Sequence, residues 1–127
     1  MEVINSPHQI KIVRIYSTED GESHLDKNHS ISINKPHSLG TLSENFNVKQ
    51  LTFRRTPSDY DLSWHCAPCK QFIVCLDAGV QVTTSDGDTA IISAGEVLLV
   101  EDIIGKGHCS KSVDGKARTS IFIPLLD

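Results

Sequence analysis

The cysteines are the first residues of this chain whose spacing could carry chemistry. Cys66 and Cys69 form a C-x-x-C pair, and Cys75 and Cys109 stand apart from it. Such a pair can act as a redox couple or supply half of a zinc site. The redox form normally stands at the start of a helix, and no helix is predicted here. A zinc site would need two further ligands, for which Cys109 and His65 are the candidates; the alternative is two free loop thiols.

Two further short patterns bear on ligand binding. Arg54 and Arg55 end a predicted strand, and alternation turns only one of them inward, where Arg54 could bind an anionic substrate carboxylate. The alternative is a solvated pair at a rim. The segment Gly105-Lys106-Gly107 is similar to a phosphate loop, but it lacks the Walker spacing and the helix that should follow, so we reject that interpretation.

The elements that must position these residues are short β-strands. No segment has a convincing helical apolar period, whereas several segments alternate and are separated by turns. An Asp-Gly turn at 85–88 predicts a hairpin. The pattern is typical of an antiparallel sandwich or barrel. The predicted strands are 9–16, 48–55, 71–76, 80–84, 89–93, 97–100, 107–112 and 118–124, with short strands and a long loop in 26–47.

Composition limits the class of protein. The chain has 127 residues, the length of one domain. Twelve Lys and Arg against sixteen Asp and Glu give a net charge of −4, which argues against a nucleic-acid binder. No apolar run is long enough for a membrane helix, and residues 1–5 lack the pattern of a signal peptide. We therefore expect a cytoplasmic domain with free thiols and no membrane partner.

Two segments together resemble the motifs of the cupin superfamily. The first is WHCAPCKQFIVCLDAG at 64–79, and the second is SAGEVLLVEDIIGKGH at 93–108. The resemblance is closest to a subgroup of small single-domain cupins with the text WHxAPxxQ and LVEDxxGKGH, and residues 16–24 also look like that subgroup. It covers about residues 48–124, and strand 9–16 would complete the barrel. It implies an all-β, antiparallel jelly-roll barrel, one domain over 1–127, and a homodimer that buries the edge strands.

The chain departs from the cupin metal motif. That motif has a His-x-His pair, a Glu and a later His; here His65 and His108 match, the second His is absent, and Gln71 takes the place of Glu. The resemblance implies a pocket centred on these three residues. They would hold a divalent metal, Fe, Zn, Mn or Ni, and Glu101 or Asp102 could add a carboxylate.

Three functions remain open at this level. The first is a metalloenzyme that acts on a small polar or acidic organic molecule, as an isomerase, a lyase or cyclase, or a dioxygenase. The second is a metal-free enzyme in which His65 or His108 is the base and Glu101 or Asp102 orients it. The third is a non-catalytic barrel that binds a small ligand. The first two use the same residues.

Alternation also predicts which side chains reach the pocket. In strand 71–76 the odd residues point inward and the even residues point outward, where they could form a dimer interface. Lys106 would share the inward face with His108, and His24 could reach the barrel mouth from its loop. The predicted substrate-binding residues are Gln71, Arg54, Cys75, Lys106 and His24.

Overall fold

The computed structural model describes residues 8–126, which form β-strands and no helix. Residues 1–7, on which the signal-peptide prediction falls, and residue 127 lie outside the described residues. Within 8–126, nothing helical is long and apolar enough to cross a lipid bilayer. The strands are β1 (Gln9–Ser17), β2 (Ser23–Ser32), β3 (Lys35–His37), β4 (Gly40–Leu42), β5 (Thr52–Thr56), β6 (Asp61–His65), β7 (Gln71–Cys75), β8 (Val80–Thr84), β9 (Thr89–Ile92), β10 (Val97–Val100), β11 (His108–Ser112) and β12 (Arg118–Pro124).

Two sheets make up the body of the fold. The larger has the order β2-β1-β10-β7-β12-β5, and the smaller has the order β6-β11-β8-β9. The predicted all-β jelly roll is confirmed. The strand pairs are antiparallel with one exception, because β1 runs parallel to β10 with Val13 opposite Leu98. A parallel pair needs a long connection, which the chain between these two strands supplies.

Strand alternation sorts the side chains as predicted. Ile73 and Cys75 of β7 join the main core between the sheets, whereas Phe72 joins a second cluster with Ile12 and Leu99 on the outer face of the larger sheet. Phe46, from the segment before β5, packs edge-on against Phe72 at 5.1 Å between ring centroids. The inner face of the larger sheet therefore faces the space between the two sheets.

Several strand boundaries differ from the predictions. The predicted strand 48–55 begins as β5 only at Thr52, because Val48 makes only an isolated bridge to Leu125. The short strands predicted in 26–47 are the β3–β4 hairpin, and β2 extends into this range as far as Ser32. Strand β6 was not predicted at all.

A bulge on β6 explains why its pattern was not recognised. His65 lies opposite His108 and Leu62 lies opposite Ser110, so three steps on β6 match two on β11. The extra residue lets Leu62 and His65 face the same side although their numbers differ in parity. Trp64, between them, is 52% exposed.

Candidate functional site

A cavity of about 240 Å³ lies between the two sheets. The larger sheet supplies one wall from β5, β7, β10 and β12, and the smaller sheet supplies the other from β6, β8 and β11. Its polar or charged lining residues are Arg54, Thr56, Tyr60, His65, Gln71, His108, Ser110 and Arg118, and its apolar lining residues are Leu62, Ala67, Pro68, Ile73, Val80, Val82, Leu98, Val100 and Phe122.

His108 and Asp102 form a buried pair at this cavity. His108 is 5% exposed and Asp102 is fully buried, and His108 Nδ1 lies 2.6 Å from Asp102 Oδ2. A carboxylate accepts this hydrogen bond, so the imidazole carries its proton on Nδ1 and leaves Nε2 able to accept another. The backbone carbonyl of Asp102 also accepts from the Ala67 N–H at 3.1 Å, which ties the loop after β10 to the loop after β6. These two contacts therefore fix the position of the ring.

His65 lies beside His108 because the two are opposed across β6 and β11. Their ring centroids are 4.4 Å apart, with the planes at 55°. His65 Nδ1 lies 2.8 Å from the Ser63 carbonyl oxygen, which can only accept, so His65 also has Nε2 available for a ligand. Gly107 permits this close approach. Its φ is +73°, and a Cβ there would lie 2.2 Å from the His65 carbonyl oxygen.

The donor set falls short of a metal centre. In residues 8–126 no group of three or more His, Cys, Asp and Glu side chains lies close enough together to hold a metal ion. The cavity offers two imidazoles and the neutral amide of Gln71, which is a weak ligand. Asp102 does not line the cavity, and its Oδ2 binds His108 Nδ1 while its Oδ1 has no hydrogen-bond partner among the described residues. The metal implied by the cupin resemblance therefore stays a prediction.

Of the predicted site residues, the structure brings five to this place. His65, Gln71, His108 and Arg54 line the cavity, and Asp102 supports His108 from behind. Gln71, at the start of β7, is 8% exposed. Its amide has no hydrogen-bond partner among the described side chains and is therefore available to a ligand.

Glu101 and Lys106 lie outside the cavity. Glu101 accepts a hydrogen bond at 2.5 Å from Arg14 Nε, so it pairs with β1 instead of with a histidine. Lys106 is exposed and forms an ion pair with Glu22 at 2.5 Å, which lowers the pKa of that carboxyl with help from the Ser85 hydroxyl. The predicted inward direction of Lys106 is wrong because alternation does not extend into the loop that precedes β11.

His24 and Cys75 also do not line the cavity. His24 lies between the Thr18 hydroxyl, 2.9 Å from Nε2, and the Asp86 carboxylate, 3.0 Å from Nδ1. Cys75 points inward as predicted, but it is fully buried in the apolar core. Burial raises the pKa of the Cys75 thiol, and the neighbouring Arg118 guanidinium opposes that shift.

The C-x-x-C pair is unbonded in this structure. Cys66 and Cys69 are both half-buried free thiols, and Cys66 Sγ donates to the Gly105 carbonyl at 3.2 Å. Cys109 lies on the outer face of β11, as predicted, and burial raises the pKa of its thiol. No zinc-type group includes these thiols within the described part of the chain.

Several lining residues were missed by sequence reasoning. Arg118 of β12 is 5% exposed, and Tyr60, in the loop after β5, lies 2.5 Å from Ser110 through their hydroxyl oxygens. One signal was present for Arg118. It shares the inward parity of Ser120 and Phe122 in the predicted strand 118–124, so a charged residue on the inner face could have been inferred.

Comparison with known proteins gives only distant similarities. No family model matches the chain, and no curated protein matches it either. Among solved structures, it is similar to protein NMB1881 of Neisseria meningitidis, with a TM-score of 0.49 and 17% identity over 65% of this chain and 84% of that one. It is similar to the conserved SPY1581 protein of unknown function from Streptococcus pyogenes, with a TM-score of 0.49 and 14% identity over 68% and 70%.

A third solved structure carries a family word in its description. This is the cupin domain of Cnp3 from Schizosaccharomyces pombe, which has a TM-score of 0.48 and 15% identity over 94% of this chain and 85% of that one. Similarity at this level does not establish a family, so membership of the cupin superfamily stays a prediction.

Proposed function

We propose that this chain is a cupin-type enzyme. It binds a small organic acid between its two sheets and moves a proton on that acid. The observation that carries the proposal is the buried hydrogen bond of 2.6 Å between His108 Nδ1 and Asp102 Oδ2. An imidazole held by a carboxylate at the edge of a pocket is a common arrangement for general acid–base catalysis. The reaction class is isomerisation, epimerisation or cyclisation by proton transfer.

His108 is the residue that takes the proton. Its Nε2 forms the new N–H bond while a C–H bond next to a carbonyl group breaks, and the electron pair moves onto the carbonyl oxygen of the substrate as an enolate. Asp102 accepts the hydrogen bond from Nδ1 and stabilises the imidazolium that results. The Gln71 amide can donate an N–H to the enolate oxygen. A second proton on His65 Nε2, taken up from water, can be given to the other carbon or face, and the His108 imidazolium then releases its proton to water, which restores both rings.

The test is hydrogen exchange on candidate substrates in D₂O. A panel of small 2-oxo acids and hydroxy acids is incubated with the protein, and loss of the C–H signal is followed by proton NMR. We expect exchange that the His108→Gln variant slows by roughly 100-fold or more, the range typical of a lost general base. His24→Gln is the matched control, because His24 lies outside the cavity, and it should retain the wild-type rate.

Two outcomes would overturn this assignment. Exchange that persists in His108→Gln would remove His108 from the chemistry. Saturable binding of an acid without any exchange would favour the non-catalytic barrel instead.

A further inference from the structure

The β5–β12 wall of the cavity carries two guanidinium groups without a carboxylate partner. Arg118 is 5% exposed and Arg54 lies exposed, and neither forms an ion pair with a carboxylate of residues 8–126. The neighbours of Arg118 are the Cys75 thiol and the Tyr60 ring, whose centroid is 5.7 Å from Arg118 Cζ. A buried cation without a counter-ion is destabilising. The arrangement is therefore suited to an anion that comes from solution.

Two buried hydroxyl groups on the same wall also lack partners. Thr56 Oγ1 and Ser120 Oγ make no hydrogen bond to any described atom. In the register of the two strands, Arg118 lies opposite Thr56 and Ser120 lies opposite Arg54. Opposed residues, and residues two apart, share a face, so these four side chains occupy one patch of the inner surface. Buried hydroxyl donors beside guanidinium groups provide the kind of hydrogen bonds that an oxyanion accepts.

The position of Arg54 keeps its donors available. Its Cζ lies 3.8 Å from the centroid of the Phe122 ring, and Phe122 also lines the cavity. An arginine stacked on an aromatic face is held in place while the N–H groups at its edge remain free to donate. The next residue, Arg55, differs: it donates to Thr119 Oγ1 at 2.9 Å on the outer face of the sheet.

We propose that Arg54, Thr56, Arg118 and Ser120 form a subsite that binds the carboxylate of a small organic acid. This inference rests on the proposed function, because the subsite would hold the acid group on the larger sheet while the two imidazoles act from the smaller sheet. Guanidinium forks match the geometry of a carboxylate, and the two hydroxyls can donate to its remaining lone pairs. A cavity of about 240 Å³ limits the ligand to a compact molecule.

The experiment measures binding of simple anions by isothermal titration calorimetry. Acetate, succinate and inorganic phosphate are titrated into the full chain and into Arg118→Met, Arg54→Met and Ser120→Ala. We expect saturable binding of the carboxylates, with Kd raised roughly tenfold or more in each arginine variant, as for the loss of a charge-assisted hydrogen bond. Arg55→Met is the matched control on the same strand and should bind like the wild type.

Ser120→Ala guards against variants that merely fail to fold. Removing a buried hydroxyl that has no partner should leave the free energy of unfolding unchanged or higher, while anion affinity falls. A purely structural role for this wall would not move binding and stability in opposite directions.

The remaining outcomes separate the subsite from the proposed function. Tighter binding of phosphate with the same dependence on both arginines would retain an oxyanion subsite and overturn its assignment to a carboxylate. Absence of saturable binding, or equal losses in Arg55→Met, would overturn the subsite. A wild type that binds carboxylates without exchange leaves the subsite standing and overturns only the proton-transfer function.

Discussion

Gly107 controls how closely β6 and β11 approach each other at the two histidines. Its φ is +73°, and an added Cβ would meet the His65 carbonyl oxygen at 2.2 Å. The left-handed conformation alone costs an L-residue about 1–2 kcal/mol, and the clash adds to that. The neighbouring backbone must therefore shift before any other residue fits.

We expect Gly107→Ala to lower the free energy of unfolding by more than about 2 kcal/mol, measured by urea denaturation. Gly87 is the matched control, because it has φ +90° in the β8–β9 turn but no atom within 4 Å of an added Cβ. If Gly107→Ala costs no more than Gly87→Ala, the close approach to His65 is not what the glycine provides.

The metal prediction is tested at the same scale. Two imidazoles and an amide face the cavity, and the Asp102 carboxylate is engaged by His108. We expect protein purified without a histidine tag to retain well below one equivalent of Fe, Zn, Mn or Ni by plasma mass spectrometry. Near-stoichiometric metal that both His65→Ala and His108→Ala lose would contradict this expectation and support the metalloenzyme prediction.

At the scale of elements, the turn between β8 and β9 links two parts of the molecule through Asp86. The Thr84 hydroxyl donates to this carboxylate at 2.6 Å, and the Asp88 N–H and His24 contact it as well. These hydrogen bonds, that from Thr84 above all, hold the pKa of Asp86 below its ordinary value of 3.8. A folded-state pKa below that of the unfolded chain stabilises the fold at neutral pH, and this contribution is lost as pH falls through the acid range.

We therefore expect Asp86→Asn to flatten the acid side of the stability profile. Between neutral pH and pH values below 3.8, the free energy of unfolding of the wild type should fall more steeply than that of the variant. Asp59→Asn is the control, because Asp59 is an exposed turn residue that makes no hydrogen bond to the described residues. Equal slopes in the wild type and in Asp86→Asn would contradict the linkage.

Strand positions could be predicted wherever the apolar period was undisturbed. β8, β10 and β12 were predicted with the bounds that the structure has. β6 was not predicted because its bulge breaks the alternation of side chains and because Leu62 and Trp64 are largely exposed. The parallel pairing of β1 could not be predicted, since alternation identifies a strand but carries no information about its neighbour or direction.

The site shows the same division between local and long-range information. The placement of Gln71 followed from alternation within a single strand. The different partners of Glu101 and Asp102 could not be predicted in this way. Glu101 pairs with Arg14, which belongs to a strand that is far from it in the sequence. The inward direction of Arg118 was available from alternation in its own strand, but its position opposite Thr56 depends on the pairing of β5 with β12.

At the scale of the whole molecule, the outer face of the larger sheet carries an apolar row across four strands. Phe53, Ile121, Val74 and Val97 are paired in register from β5 to β10. Phe53 is 70% exposed. Such a row at an edge strand is suited to association between two copies, which the cupin resemblance also implies.

We expect the protein to sediment as a homodimer and Phe53→Asp to weaken the dimer at least tenfold, since a charge would be buried in an apolar contact. Leu39→Asp is the control, because Leu39 is 91% exposed and lies in the turn of the β3–β4 hairpin, which is not part of the larger sheet. A monomeric wild type in analytical ultracentrifugation would make the dimer prediction wrong, and a Phe53→Asp dimer of full strength would place the interface elsewhere.

The parallel pairing of β1 with β10 has a consequence for synthesis of the chain. The β1–β2 hairpin leaves the ribosome early, but Leu98, the partner of Val13, emerges only after most of the described chain has been made. At roughly 5–20 residues per second, the free edge of β1 waits for several seconds without its neighbour. During that interval the free edge of β1 can pair with another nascent chain. We therefore expect chaperone binding to this hairpin to reduce such pairing, and slow translation to increase it.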